Sequence, residues 1–362
     1  MATIKELADY TNLSIATVSR VLNGKSGIKE ETRQRILQAA QELNYRPNLY
    51  ARSLRSGRSN TIGIITEDLT VFNAPEIIDG IAATCDDAGF HYMLENLRLF
   101  KRFGNGPRNE RVCEELFGSA VDDLLAKQVS GIIYISCHRH MVVPLSSRPG
   151  VKFVMAYCDS TDPAVPSVTY NDEQAAYDLT SLLLRQGDTR IGMITGPVDS
   201  IHSTSRTIGH MRALYDFRTP YDPTITLTGN WERDSGYTMA EQLINRGVTA
   251  IFAQNDLMAM GVMDYCNEHR IEVGKDLRLV GFDNREIASV CRPSLTTAAL
   301  PLFEIGKTAA EEMMNLLMGN EPQNKKLLLD CTIVQRDSTR RSEEPNYESN
   351  NSPVRPEPDL PH

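Results

Sequence analysis

The sequence predicts an α/β protein in which a small helical unit and a short basic segment precede a larger body of two lobes. Three observations predict this class. Segments of helical period fill residues 1–46, strands alternate with helical patterns from residue 61 onward, and charge divides unevenly between the two parts. Residues 1–58 contain ten Lys and Arg against five Asp and Glu, whereas the whole chain carries a net charge of −9. A basic end on an acidic body indicates that the first segment meets phosphate.

Three N-terminal helices are predicted from their polar boundaries and apolar faces. The first has apolar residues on one face and ends at a polar break before Leu13; these apolar residues are Ile4, Leu7 and Ala8. Ser14 is the expected N-cap of a second helix over residues 15–22. That helix should bury Val18, Val21 and Leu22, and it should expose Ile15, Ala16, Thr17, Ser19 and Arg20. A third helix over 29–43 would close the core with Ile36, Leu37, Ala40 and Leu43, which is helix-turn-helix geometry.

Seven β-branched or apolar runs then predict strands, at 61–66, 90–95, 131–136, 151–156, 190–195, 249–254 and 277–283. Helical patterns separate these runs, as is typical of parallel sheets covered by helices. A region of roughly 280 residues is large for one sheet, so the pattern favours two similar α/β lobes.

Composition argues against several classes of protein. No apolar run reaches the length that spans a membrane, and no apolar export segment opens the sequence. The seven cysteines are scattered, with no Cys-x-x-Cys pair, which favours a reducing compartment and argues against a zinc site. We therefore expect a cytoplasmic protein.

Catalytic motifs fail on inspection. Gly306-Lys307-Thr308 lacks the earlier glycine of a phosphate-binding loop, because Pro301 stands there. His138 and His140 alternate, but no acidic residue or cysteine joins them at metal-ligand spacing. No Gly-x-Ser-x-Gly elbow is present. The expectation is a protein that is not an enzyme and that holds no cofactor and no metal.

Two specific strings resemble the lactose/galactose repressor family, namely Ser14-Ile15-Ala16-Thr17-Val18-Ser19-Arg20-Val21-Leu22-Asn23-Gly24 and Leu43-Asn44-Tyr45-Arg46-Pro47-Asn48. Later strings extend the resemblance to about residue 339, such as Pro293-Ser294-Leu295-Thr296-Thr297 and Val334-Gln335-Arg336-Asp337-Ser338-Thr339. The family consists of DNA-binding transcriptional repressors, so the resemblance implies a nucleoid-associated regulator. The alternative, an unrelated three-helix domain with a few arginines, does not account for both strings and their spacing.

The resemblance implies a role in DNA binding for residues of the headpiece and of the segment after it. The second helix would enter the major groove, where Arg20 can donate twice to guanine and Ile15 and Ala16 offer apolar contact. Thr17 and Ser19 are expected at phosphates. In the hinge helix, residues 47–58, Leu54 would wedge into the central base step and Ala51 would let two hinge helices approach. The DNA-binding set is Ser14, Ile15, Ala16, Thr17, Ser19, Arg20, Asn23, Tyr45, Asn48, Ala51 and Leu54. A solvated linker with an ordinary leucine is the alternative for the hinge.

The same resemblance implies a division of the chain into domains. A headpiece covers 1–46 and a hinge 47–58, and a two-lobed body like that of periplasmic sugar-binding proteins covers 61–339. Lobe 1 would comprise about 61–160 and 291–322, and lobe 2 about 161–290 and 323–339, with crossings near 160, 290 and 323. Residues 340–362 are rich in proline and poor in apolar residues, which predicts a disordered tail. The stretch 98–119 is longer than usual and is an expected inserted loop.

Polar residues in the loops after the predicted strands form the expected effector site, because ligands of open parallel sheets bind beyond the carboxyl ends of the strands. Arg206, Asn255 and Asp283 can grip hydroxyls or a carboxylate, and the Trp231 indole can stack on a sugar ring. The resemblance places all four in the effector cleft and adds a first-lobe loop with Phe72, Asn73 and Ala74. Each could instead be structural, since an aspartate often caps a helix and a lone tryptophan often packs in a core.

The sequence therefore predicts a dimeric repressor that binds an inverted-repeat operator in double-stranded DNA under the control of a small-molecule effector, with a carbohydrate as first choice. Control by a protein partner or by a nucleobase-type corepressor remains an alternative, as does a solute-binding protein, which the helix-turn-helix unit argues against. Dimerisation would use helices of both lobes, and candidates after Gly306 are Ala309, Ala310, Met313, Met314 and Leu317, for which burial inside the lobe is equally expected. Whether the effector releases or tightens DNA, and whether a tetramer forms, is left open.

Overall fold

The computed structural model of the protein describes residues 4–22, 27–43, 59–103, 109–138, 141–142, 150–321 and 325–340. Its α-helices are α1 (Ile4–Thr11), α2 (Ile15–Leu22), α3 (Glu30–Glu42), α4 (Ala74–Ala88), α5 (Leu99–Phe103), α6 (Glu110–Ala126), α7 (Asp172–Arg185), α8 (Ile201–Asp216), α9 (Arg233–Asn245), α10 (Asp256–Glu268), α11 (Glu286–Val290) and α12 (Leu302–Leu317). Two 3-10 turns cover Pro223–Ile225 and Asp337–Thr339.

The strands are β1 (Thr61–Thr66), β2 (His91–Asn96), β3 (Gly131–Ile135), β4 (Met141–Val142), β5 (Phe153–Ala156), β6 (Asp159–Ser160), β7 (Ser167–Tyr170), β8 (Ile191–Thr195), β9 (Thr226–Thr228), β10 (Ala250–Ala253), β11 (Arg278–Val280), β12 (Thr297–Ala299), β13 (Lys326–Leu329) and β14 (Thr332–Val334). All seven strands predicted from the sequence are present, with ends that differ by a few residues. None of the helices within the described ranges is long and apolar enough to cross a membrane.

Helices α1, α2 and α3 share a small core of their own. Buried apolar side chains from all three meet there, namely Leu7, Ala8, Val18, Val21, Ile36 and Ala39. Ser14 caps α2 as predicted, since its Oγ accepts from the Thr17 amide at 3.1 Å. The prediction for Leu37 was wrong: this side chain is 41% exposed, and Ala39 occupies the core with Ile36. Ile36 and Ala39 are three residues apart and therefore lie on the same face of α3, and Leu37 lies outside that face.

The first lobe is built on a six-stranded parallel sheet in the order β13-β7-β5-β3-β1-β2. Helices α4 and α12 cover one face, and α6 covers the other. Strand β3 is buried along its whole length, which explains its continuous apolar sequence. Ala309, Ala310 and Met313 of α12 are fully buried within this lobe, and Met314 and Leu317 pack against the same core. The α12 residues considered for a dimer interface therefore belong to the core of the lobe.

The second lobe contains a four-stranded parallel sheet in the order β11-β10-β8-β9. Helices α7 and α8 pack on one face, and α9 and α10 pack on the other. Neighbouring residues of β8 alternate between the two faces, since Met193 joins the core under α7 and α8 and Ile194 joins the core under α9 and α10. The predicted α/β class with two lobes is confirmed.

The points at which the chain changes lobe differ from those predicted. Strand β7 pairs with β5 and β13 in the first sheet, so the first crossing follows Tyr170 and the last follows Leu329. The predicted crossings near 160 and 323 were therefore wrong. The middle crossing runs through β12, which pairs antiparallel with β14, whereas Leu295 is still in the core of the second lobe. Strands β7 and β13 are far apart in the sequence and pair with each other only in the folded protein. The sequence of either strand does not indicate which sheet it joins.

Candidate functional site

A cavity of about 560 Å³ lies between the two lobes at the carboxyl ends of their parallel strands. This is where ligands of open α/β sheets bind. Segments after β1, β2, β3, β5, β8, β9, β10 and β11 supply its walls. The residues that line it are Thr70, Val71, Phe72, Phe100, Cys137, His138, Tyr157, Pro197, His202, Arg206, Asn230, Trp231, Glu232, Asn255, Leu257, Asp283 and Arg285. The walls combine aromatic rings with hydrogen-bonding and charged groups, as small-molecule sites commonly do.

The structure brings together five of the seven residues predicted for an effector site, namely Phe72, Arg206, Trp231, Asn255 and Asp283. Asn73 and Ala74 do not line the cavity. Asn73 is fully buried and its Nδ2 donates to the Ser136 carbonyl at 2.8 Å, and Ala74 is the first residue of α4. The polar side chain of Asn73 therefore holds the loop after β1 to the loop after β3, and Phe72 is the member of this trio that faces the cavity.

Arg206 is the centre of a buried polar network that joins both lobes. Its Nε donates to Asp172 Oδ1 at 2.8 Å, its Nη2 donates to the Tyr170 hydroxyl at 2.9 Å, and its Nη1 donates to the Gln254 carbonyl. The guanidinium also stacks on the Phe282 ring, with Cζ 3.6 Å from the ring centroid. Tyr170 ends a strand of the first lobe, whereas Asp172 begins a helix of the second. Arg206 therefore ties the lobes together at the first crossing.

Asp172 is ionised in this network. Burial alone would raise its pKa, but the charges and hydrogen bonds of His202 and Arg206 outweigh burial and lower the pKa to about 2. His202 Nδ1 lies 2.9 Å from Asp172 Oδ2 and 3.1 Å from the Tyr170 hydroxyl. Tyr157, at the cavity wall, lies with its hydroxyl 3.3 Å from that of Tyr170. Buried polar groups arranged in this way hold one another in fixed orientations.

Trp231 is held at the cavity by its own backbone. It has a left-handed φ of 71°, and Asn255 Nδ2 donates to its carbonyl at 2.9 Å. The indole lies against Gly196, where any Cβ would approach the ring to 2.0 Å. Asn255 Oδ1 accepts from the Met258 amide at 2.8 Å and thereby caps α10. Asn255 therefore uses both of its polar side-chain atoms to position the loop. This agrees with the alternative that Asn255 has a structural role.

Asp283, which lines the cavity, and Asp256 form an interacting pair of carboxyl groups. Burial raises both pKa values, for Asp283 to about 6 and for Asp256 to about 7, where the charge of Asp283 adds to the effect of burial. Asp256 accepts from Thr297 Oγ1 and from the Arg285 amide, both at 2.7 Å. Asp283 has a left-handed φ of 108° and lies with Oδ1 3.8 Å from Arg206 Nη2. Burial therefore favours the neutral forms of these two carboxyls, and because they interact they titrate as a pair.

Sequence reasoning did not assign several residues to this site, and those with the most polar contacts or charge are Tyr170, Asp172, His202 and Arg285. Tyr170, Asp172 and His202 lie near the first crossing, which the sequence placed elsewhere. Arg285 stands two residues after Asp283, in a loop that the sequence did single out. The position of Arg285 in the polar loop that follows β11 is the feature of the sequence that could have indicated its role.

Helix α2 presents part of the predicted DNA-binding set on its surface. Ile15 is 44% exposed, and Ala16 and Arg20 are also exposed. Ser14 and Thr17 bind each other through their hydroxyls at 2.8 Å. Ser19 is buried, so the prediction that it shares the outer side of the helix was wrong. The remaining predicted residues lie outside the described ranges, namely Asn23, Tyr45, Asn48, Ala51 and Leu54.

A helix-turn-helix unit that precedes a two-lobed α/β body with a cavity between its lobes defines the class of ligand-binding transcriptional regulators. Residues 3–48 match the family described as bacterial regulatory proteins, lacI family, and residues 180–339 match a periplasmic binding protein-like domain. The chain is 32% identical to catabolite control protein A of Priestia megaterium over 338 residues, which are 92% of this chain and 96% of that protein. The chain belongs to the lacI family and is a DNA-binding transcriptional regulator.

Further similarities agree with this assignment. The HTH-type transcriptional repressor CytR of Escherichia coli K12 is 29% identical over 94% of this chain and 96% of its own length. A lac repressor dimer bound to operator and the anti-inducer ONPF superposes with a TM-score of 0.77, at 26% identity, over 94% of this chain and 99% of that one. These relatives are regulators of transcription, so the prediction that the chain is not an enzyme is confirmed.

Proposed function

We propose that this chain is a homodimeric repressor whose affinity for an inverted-repeat operator is controlled by a small polyol effector, a carbohydrate or a close relative of one, bound in the cavity between the lobes. The observation that carries the proposal is the composition of the cavity. Aromatic faces of Phe72, Phe100 and Trp231 stand beside hydrogen-bonding groups of Arg206 and Asp283. A sugar ring has apolar faces and a rim of hydroxyls, which such walls complement.

The position of the cavity supplies a route from ligand to DNA. Its walls come from both lobes, so a ligand that contacts both changes the free energy of lobe closure. The first lobe follows the hinge segment directly in the chain. In a dimer, a change in lobe closure would therefore change the distance and orientation between the starts of the two first lobes, to which the headpieces are connected. Coupling of this kind between two sites is typically about 1–3 kcal/mol.

The DNA-binding half of the proposal rests on α2 and on one relative. Helix α2 exposes Ile15, Ala16 and Arg20 together, a set that can offer apolar contact and paired hydrogen bonds to base edges. The lac repressor structure that resembles this chain is described as a dimer bound to operator. Two headpieces of a dimer would read two half-sites about one helical turn apart.

The experiment uses the single tryptophan of the chain, Trp231, as a reporter inside the cavity. Sugars, sugar derivatives and nucleobases are titrated while Trp231 emission and the anisotropy of a labelled palindromic DNA are recorded in one sample. We expect a polyol to shift both signals, and the sign of the DNA change shows whether it induces or corepresses. A nucleobase that shifts both would replace the polyol. Salt-dependent DNA binding that no compound alters would contradict effector control and favour a protein partner.

A further inference from the structure

Arg285 makes a contact across the cavity that the polar network does not use. Its guanidinium carbon lies 4.2 Å from the centroid of the Phe72 ring. Phe72 belongs to the loop after β1 in the first lobe, and Arg285 follows β11 in the second. A guanidinium stacked on an aromatic face is held in one plane with its N–H edges directed sideways. Arg285 therefore presents an oriented edge in the cavity wall.

Among the described residues, none accepts a hydrogen bond from that edge. Arg285 Nε is buried and has no hydrogen-bond partner within the described part of the chain. No carboxylate of the described residues forms an ion pair with the guanidinium, which contrasts with Arg206 and its three acceptors. A guanidinium has five donors, and leaving a buried charged donor unpaired costs more than leaving a neutral one. Such a group indicates that an acceptor belongs at this position.

The charges around Arg285 leave room for an anion. The charge of Arg285 acts on two buried carboxyls, those of Asp256 and Asp283. Asp256 is turned toward Thr297 and toward the backbone of Arg285, and burial raises the pKa values of both carboxyls, which favours their neutral forms. The charge of Arg206 is already matched by Asp172. Arg285 is therefore the cation of the cavity wall that no acid group of the described chain pairs with.

We infer that Arg285 is the receptor for an oxyanion group of the effector, a phosphate or a carboxylate, which its free N–H edge binds while Phe72 holds the guanidinium plane. This inference rests on the proposed function, and it narrows the effector to a polyol that bears an anionic group. Arg and an oxyanion form paired, parallel hydrogen bonds of a kind that a neutral hydroxyl cannot match. Because Phe72 and Arg285 come from different lobes, the anion also binds where the lobes meet.

The test titrates the full chain, without DNA, with inorganic phosphate and separately with acetate, at an ionic strength fixed with chloride, and records Trp231 emission. Glucose, glucose 6-phosphate and glucuronate form a matched organic set. The variants are Arg285→Gln, which removes the charge, and Arg285→Lys, which keeps the charge and loses the planar edge. Arg233→Gln is the matched control, because Arg233 pairs with Asp264 on the surface. Arg20→Gln controls for anions that bind the headpiece.

We expect wild type and both controls to bind phosphate alike, Arg285→Gln to bind it at least about tenfold more weakly, and Arg285→Lys to lie between them. The advantage of glucose 6-phosphate or glucuronate over glucose should disappear in Arg285→Gln, and whichever of the two shows it identifies the anion as phosphate or carboxylate. Equal anion affinities in wild type and Arg285→Gln, or a loss seen with Arg20→Gln instead, would overturn the inference. Thermal melting of each variant shows that it is folded.

The two proposals fail in different ways. If a neutral polyol shifts operator binding equally in wild type and Arg285→Gln, effector control stands and the oxyanion receptor is wrong. If anions require Arg285 but no compound alters operator binding, the receptor stands and control of DNA through this cavity is wrong.

Discussion

Arg206 and Asp172 form an ion pair that is almost completely buried, with Nε 2.8 Å from Oδ1 and side-chain exposures of 3% and 0%. The pair joins the middle of α8 to the first turn of α7, and the Tyr170 hydroxyl extends it into the first lobe at 2.9 Å. A charge placed so deeply is tolerated only because its partners are fixed. The pair therefore serves as an internal clamp at the base of the cavity, where Arg206 is also part of the wall.

Asp172→Asn should destabilise the protein strongly. The amide keeps the shape of the carboxylate but leaves the buried charge of Arg206 without its main partner, and we expect the free energy of unfolding to fall by about 3–5 kcal/mol. Asp178→Asn on the same helix is the control, because Asp178 lies at the partly buried surface and accepts from the neutral Gln174 amide at 2.9 Å. Urea unfolding followed by circular dichroism measures both. A loss below about 1 kcal/mol, typical of exposed pairs, would show that Arg206 finds another partner.

His210 predicts a loss of stability in mild acid. Burial lowers its pKa from 6.5 to about 4, and its Nδ1 lies 3.0 Å from Thr180 Oγ1. Between pH 6.5 and 4 the unfolded chain binds a proton that the folded chain does not. The free energy of unfolding therefore decreases as pH is lowered from 6.5 to 4, by roughly 3 kcal/mol in total. Below about pH 4 both states bind the proton, and this contribution stays constant.

The difference between wild type and His210→Gln isolates this effect. Burial raises the pKa values of Asp256 and Asp283, so their contribution changes in the opposite direction: it is lost as pH rises above the range in which an unfolded aspartate titrates. Those groups are present in both proteins and cancel in the comparison. Melting temperatures measured from pH 4 to 7.5 should show a steeper acid decline in wild type than in His210→Gln. Parallel curves would mean that His210 does not take up its proton on unfolding.

Much of the fold could be predicted because its signals are local. Each of the seven apolar runs is a strand. Six of these strands are almost completely buried, which requires a continuously apolar sequence, whereas β2 lies at the edge of its sheet and is partly exposed. Ser14 as a cap and the buried faces of α1 and α2 follow from spacing alone. The lobe boundaries could not be predicted in this way, because β7 joins the first sheet through β5 and β13 joins it through β7, and both pairings exist only in the fold. Thr169 and Ser167 are buried polar residues in β7, which hides that strand from a search for apolar runs.

The site was predicted less completely for a related reason. Arg206, Trp231 and Asp283 follow strands, and the rule that ligands bind beyond strand ends finds them. No comparable rule predicts which residues that are far apart in the sequence will form hydrogen bonds or contacts with each other. Asp172 is at a helix start, where an aspartate is ordinarily a cap, and only the fold shows that it binds Arg206 and His202. Phe72 and Arg285 lie on different lobes, so their contact depends on how the lobes close.

Gly306→Ala should destabilise the first lobe. A Cβ on Gly306 would lie 1.9 Å from the Ile77 carbonyl oxygen, and Gly80 on the opposite helix makes an equally close approach to Phe303. Helices α4 and α12 must move apart to admit a methyl group, and we expect a loss of about 1–3 kcal/mol. Lys307→Ala is the control, because Lys307 makes only a surface pair with Glu304. Unfolding by urea checks both, and equal stability of Gly306→Ala and wild type would show that the helices are not held this close.

Arg20→Gln should reduce specificity for an operator more than general affinity for DNA. Arg20 is exposed on α2, and an arginine there can donate to both acceptors of a guanine, which is worth about 1–3 kcal/mol of discrimination. Operator binding should weaken roughly tenfold to a hundredfold, and binding to random DNA should change far less, since phosphate contacts dominate it. Arg33→Gln on α3, which pairs with Glu30, is the control. Anisotropy titrations of both DNAs at two salt concentrations decide the matter: equal losses on operator and random DNA would assign Arg20 to phosphate instead of base.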